Sequence, residues 1–296
     1  MTLRTVVDGY TYFEGPRWHD GRLYVSDFYT HQVISVGADA DVRVEAEVPQ
    51  QPSGLGWLPD GRMLVVSMRD RRLLRREPSG EMVEHADLSG FALWHVNDMV
   101  VDAEGRTYVG DFGFDIMAGA DIVTTGLVRV DADGRAEQVA TDLYFPNGSV
   151  ITPDGRTLLV AETIGQRITA FDIGPGGELS GRREWARFGE PPASPSLAES
   201  LGAGVLAPDG MCLDADGLVW VADALGNRVV RVREGGEIAE EISTGDLGVF
   251  ACMLGGADGR TLYLCAAPSF AEEERRTTRE GRLLATEVKT PRAGLP

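Results

Sequence analysis

Four oxygen-bearing residues occupy matching places in a repeated phrase: Glu14, Asn97, Asn147 and Asp209. Asn97, Asn147 and Asp209 precede the turn glycines Gly105, Gly155 and Gly217 by the same number of positions, and Glu14 precedes Gly21 by one fewer. Two further copies carry Ser53 and Ala251 at that place. Taken singly, an Asn or Asp ahead of a strand caps a turn. If the copies are arranged around an axis, however, the four side chains point at one another. Two carboxylates gathered there with no Lys or Arg among them repel and lose hydration, at a cost on the order of several kcal/mol unless a cation offsets it. Donors that are all oxygen, without His or Cys, select hard ions: one divalent metal, Ca²⁺ first, then Mg²⁺ or Mn²⁺, with Zn²⁺ and Fe²⁺ also compatible. Four protein ligands leave positions open to water, as a hydrolytic centre requires.

The elements that must hold these residues follow from the phrase itself. Its copies are residues 14–27, 53–67, 97–111, 147–162, 209–223 and 251–265, each an apolar run, an acidic residue followed by Gly, and a second alternating apolar run. Five of the six turns read Asp-Gly and the third reads Glu104-Gly105. An acidic residue and Gly between alternating runs signal a two-stranded hairpin, and a recurrence of about 40–60 residues is that of propeller blades. Third strands are expected at 32–36, 72–76, 127–131, 167–172, 228–233 and 282–288, and fourth strands at 42–48, 82–88, 136–142, 183–188 and 237–243. The sixth copy lacks a fourth strand, and the β-prone run 3–7 ahead of the first copy supplies it. The expectation is an all-β fold: a six-bladed β-propeller with four antiparallel strands per blade, closed by the N-terminal strand joining the last blade, as a single domain over 1–296. Such closure leaves no exposed sheet edge at the seam.

Hairpin geometry then assigns faces. With the opening residues at the top, the second strand returns there and ends at Asp27, Asp111, Glu162 or Asp223. These acids are expected to cap turns and to make the mouth electronegative. The long connections 112–126, 189–207 and 267–281 fall on the same face, where they would wall a pocket, and 195–206 is expected as either a short amphipathic lid or a plain linker.

Net charge is −18, which argues against nucleic acid, whose affinity comes from Lys and Arg neutralising phosphates. The N-terminus has neither a basic n-region nor an apolar h-region, and no apolar stretch is long enough to span a bilayer, so a cytoplasmic protein without a membrane partner is expected. Cys212, Cys252 and Cys265 lie in strand runs and are expected as reduced core thiols. No nucleophile elbow, H-E-x-x-H, P-loop or dinucleotide motif occurs, and His19, His31, His85 and His95 lack metal-ligand spacing. Oligomeric state is not encoded in these patterns.

The runs Glu14-Gly15-Pro16-Arg17-Trp18, Asn97-Asp98, Asn147-Gly148 and Pro208-Asp209-Gly210-Met211 resemble the gluconolactonase, regucalcin (senescence marker protein) and luciferin-regenerating-enzyme family over residues 10–288. The resemblance implies a six-bladed propeller with a divalent metal at the top of the axial channel, held by Glu14, Asn147 and Asp209. Asn97 matches a position that contacts substrate or also ligates the metal. It further implies a metal-dependent hydrolase opening a lactone ring, with a small-molecule lactone as its partner, Asp209 as general base and Asn97 orienting the carbonyl. Diisopropyl fluorophosphatase-like phosphotriesterases and non-catalytic calcium-binding regulatory propellers share the pattern and are the alternative readings. One departure concerns His95, which stands where sugar-lactone hydrolases of this family often carry Arg. With Phe91, Leu93 and Trp94 beside it, His95 as a third catalytic-site residue suits a ring poorer in hydroxyls than gluconolactone.

Overall fold

The turn glycines Gly21, Gly61, Gly105, Gly155, Gly217 and Gly259 all have φ between +70° and +85°, a region other residues enter only under strain. Around these turns the computed structural model, which describes residues 2–296, folds into six sheets of four antiparallel strands. The first strands of the blades are Phe13–His19, Pro52–Trp57, Val96–Val101, Pro146–Ile151, Pro208–Leu213 and Gly248–Gly255. Each packs against the first strands of its two neighbours, and together they ring the axis. They are buried almost throughout, whereas outer strands such as Val42–Glu47 are largely exposed. Arg4–Tyr10 pairs antiparallel with Gly281–Glu287 and completes the sixth blade, as the sequence predicts.

All six first strands share an irregularity. Pairing with the second strand slips by one residue between Glu14 and Arg17, Pro52 and Leu55, Val96 and Met99, Pro146 and Ser149, Pro208 and Met211, and Val249 and Ala251. One extra residue on the first strand bends it and re-aims the side chain beside it. That side chain is the opening residue of each phrase. Close approach of neighbouring first strands completes the ring: a Cβ on Gly148 would lie 2.5 Å from the Asp209 carbonyl oxygen, so only Gly fits beside Asn147.

Strand ends differ from expectation where bulges intervene. The outer strand of blade four runs Leu179–Arg187 rather than 183–188, because Gly181, with φ of +58°, sits in a bulge between the Arg183 and Ser180 pairings and does not end the strand. Beyond the last strand, residues 289–296 cross the bottom of the propeller. Arg292 N–H donates to the Gly259 carbonyl, Ala293 N–H to Leu213, and Leu295 exchanges bonds of 2.9 and 2.8 Å with Ile151, so the tail links blades six, five and four. The three cysteines are buried and free. Among the described residues no helix is long and apolar enough to cross a membrane.

Candidate metal centre and pocket

Glu14, Asn97, Asn147 and Asp209 line one cavity at the top of the axis, each 5–8% exposed. A relay of hydrogen bonds sets the orientation of the two amides. Thr163 Oγ1 donates to the Pro208 carbonyl (2.9 Å), so it must accept from Asn147 Nδ2 (3.1 Å). Asn147 Oδ1 then faces Asn97 Nδ2 at 2.9 Å, and Ser53 Oγ donates to Asn97 Oδ1 at 3.0 Å. The chain of donors runs in one direction from blade two to blade five and leaves neither amide free to flip.

The carboxylates contrast with the amides. Asp209 Oδ1 is buried with no hydrogen-bond partner, and Glu14 receives one bond, from the Gly15 N–H. Burial, with the charge of Asp98 added, pushes the Glu14 carboxyl up to about 8. Burial and then the charges of Glu14 and Asp98 drive Asp209 well above the usual carboxylate range. Asp98 is itself held by Arg17, whose Nη2 lies 2.6 Å from its Oδ1 and whose Nε donates to the Leu55 carbonyl. The Arg17 charge is thus spent on Asp98 beneath the pair. A divalent cation fits this arrangement: it would give the orphaned Asp209 oxygen a partner and offset the repulsion between the two acids. Among the described residues no three His, Cys, Asp or Glu side chains gather into a metal-binding group, at this cavity or elsewhere, so a cation here would rest on two carboxylates and the amide oxygens beside them.

The cavity holds about 80 Å³ and opens to solvent at its rim. Its walls come from the three expected loops: Ile116 and Met117 from 112–126, Leu201 and Ala207 from 189–207, and Phe270 from 267–281. Within the second loop, Leu197–Gly202 forms a one-turn helix capped by Ser196, with Leu197 buried and Leu201 facing the cavity. Sequence reasoning left that segment open between lid and linker; it is a short helical wall. Tyr12 also lines the cavity, and burial together with Glu14 and Asp209 keeps its phenol protonated. A larger cleft, about 1070 Å³, lies on the opposite face between blades three and four. It holds no convergent ligands, and its Arg106 is tied to Asp102 and Glu104.

His95 is the predicted site residue that stands apart. It is half-buried, stacks on Trp94 at 5.0 Å between ring centroids, and lies 6.1 Å from Phe112, which does line the cavity. Burial and then the Arg69 charge push its imidazole below the ordinary value, so it is neutral at pH 7. The acids ending the second strands cap local turns as expected, but they do not make the mouth electronegative. Asp27, Asp111, Glu162 and Asp223 are buried and spent on local bonds, not arrayed as free charge around the mouth. Ser53, Thr163 and Tyr12 are the residues that sequence reasoning missed. Ser53 shares the opening position and Thr163 directly follows Glu162, so register alone could have found both.

A family model described as the SMP-30/Gluconolactonase/LRE-like region matches residues 13–268. A pentonolactonase of Haloferax volcanii is 29% identical over 273 residues, covering 90% of this chain and 86% of that protein. A 6-deoxy-6-sulfogluconolactonase of Pseudomonas putida is 29% identical over 68% of this chain and 64% of its own length. Among solved structures, a calcium-binding regucalcin of Agrobacterium tumefaciens superposes with a TM-score of 0.79 at 18% identity, covering 100% of this chain and 96% of that one, a likeness of fold alone.

Proposed function

Because the chain belongs to the SMP-30/gluconolactonase/LRE-like family, we propose that it is a divalent-metal-dependent hydrolase that opens a lactone ring. The observation that carries this reading is the buried, unpartnered Oδ1 of Asp209 beside Glu14. Glu14, Asn147 and Asp209 would hold the cation, Ca²⁺ by preference, with Asn97 at its edge. Bound there, the cation would polarise the lactone carbonyl and stabilise charge developing on its oxygen.

The chain's own residues supply the rest. The second carboxylate oxygen of Asp209, Oδ2, takes the proton from the attacking water and returns it to the leaving ring oxygen. The Asn97 amide, locked by Ser53 and Asn147, keeps its second N–H for the lactone carbonyl. The protonated Tyr12 phenol adds a donor at the wall. His95 acts one layer back by fixing Phe112, a wall suited to a ring poorer in hydroxyls than gluconolactone.

The test is a lactone panel assayed on chelator-stripped protein with Ca²⁺, Mg²⁺, Mn²⁺, Zn²⁺ and Fe²⁺ restored one at a time. Hydrolysis returning with at least one ion is expected, and failure with every ion and every lactone rejects the reading.

A further inference from the structure

Above its oxygen floor the cavity is lined mainly by apolar side chains, with the Tyr12 phenol and the Thr163 hydroxyl as the polar groups among them. Tyr12 and Phe28 of blade one pack at 5.2 Å between centroids, and across the ring Phe112 and Phe145 of blades three and four pack at 4.5 Å. Met117 and Leu225 line the same cavity yet remain 44% and 39% exposed, so the apolar surface runs without a break from inside to outside. Leu93, Trp94, Val123 and Val205 are also exposed, on loops of the same face. Among the described residues, no Lys, Arg or His lines the cavity.

A polyhydroxylated ring placed there would press hydroxyls against aromatic and aliphatic carbon with few partners, at a cost of roughly tenfold in affinity for each one left unpaired. An exposed apolar track leading out of a buried polar floor fits a molecule with a small polar head and a hydrocarbon tail. Resting on the lactone-hydrolase reading above, we propose that the substrate is a lactone whose ring carries an alkyl chain, with the ring over Asp209 and the chain running past Met117 and Leu225 to the rim. The reaction balances with water alone. Water oxygen bonds to the acyl carbon, the acyl–ring oxygen bond breaks, one water proton ends on the released alkoxide, and an open-chain hydroxy acid leaves.

The experiment compares Ca²⁺-loaded protein on δ-lactones bearing no substituent, methyl, pentyl and heptyl chains, and on glucono-1,5-lactone. Each methylene buried along the track contributes roughly fourfold, so kcat/KM should rise by about 100-fold or more from the unsubstituted to the pentyl lactone, mainly through KM. Met117→Gln and Leu225→Asn should each lower the pentyl-to-unsubstituted ratio several-fold. A flat or falling series, or glucono-1,5-lactone as the best substrate, overturns the proposal while leaving the hydrolase reading intact. Calorimetry with 6-pentyl-2-piperidone and 2-piperidone, non-hydrolysed lactams of the same ring size, reads the pocket without turnover. Preference for the pentyl lactam supports the track, and equal affinity overturns it. Lactam preference with no lactone hydrolysed would reject the hydrolase and leave the alkyl track standing.

Discussion

Blades one, four and five each hold two buried side chains at their top ends, one at the opening of the first strand and one at the close of the second. At the close, Glu162 receives two bonds from Arg167 at 2.8 Å and one from the Tyr144 N–H at 2.9 Å, and Asp223 is met by Arg228 and the Ala207 N–H. Asp27 accepts from the Thr11 and Tyr12 N–H groups and from Thr30. These acids pin the segment leading into each first strand to the turn that opens the third strand. At the opening, by contrast, Asp209 has an oxygen with no partner and Glu14 has one backbone donor. Equal burial therefore has opposite meanings. A saturated carboxylate holds the fold together, whereas an unsaturated one beside a second acid has capacity left for a cation or a proton.

The strongest way to break this comparison is to exchange one member of each set. Asp209→Asn should lower kcat by about 10²–10⁴-fold while thermal melting stays at or above that of the parent, since a buried repulsion is removed. A variant that unfolds and keeps its specific activity would erase the distinction. Glu162→Gln should do the reverse, costing about 3 kcal/mol in a denaturant titration by stranding Arg167, with activity per folded molecule largely retained.

A third measurement sharpens the contrast through pH. In metal-stripped protein Glu14 titrates near 8 against an ordinary value of 4.5, and Asp209 is raised in the same direction. The folded state therefore binds more protons than the unfolded state between these values. Stability should be greatest below the unfolded value and fall as pH rises through the folded one, by on the order of a few kcal/mol. Melting curves from pH 5 to 8 check this slope, and added Ca²⁺ should flatten it. The smallest effect belongs to Ser53→Ala, which frees the Asn97 amide and should cost about 1 kcal/mol, read as a several-fold loss in kcat/KM with little change in melting temperature.

Much of this architecture is legible along the chain because its causes are local. An Asp-Gly or Glu-Gly pair between alternating runs makes a hairpin wherever it occurs, and six such pairs with strand-like runs behind them leave few folds but a six-bladed ring. The seam strand could be read for the same reason: one blade lacked an outer strand and one run lacked a partner. The bulges could not, since an extra residue in a first strand shows only against the register of the second. The C-terminal crossing was equally hidden, because residues 289–296 carry no strand pattern and find Ile151 only in three dimensions. His95 lay in the right neighbourhood, but its ring proved to be one layer behind Phe112.

By itself, then, the sequence determined the number of blades, the strands, the face of the long loops and the residue types that meet at the axis, all consequences of turn chemistry and period. The tertiary structure decided which acids are spent and which are free. Asp209 and Asp223 are the same residue type on one blade, and only the positions of Ala207, Arg228 and the neighbouring first strands separate them. Hydrogen-bond satisfaction depends on groups brought from distant parts of the chain, so no local pattern can announce it.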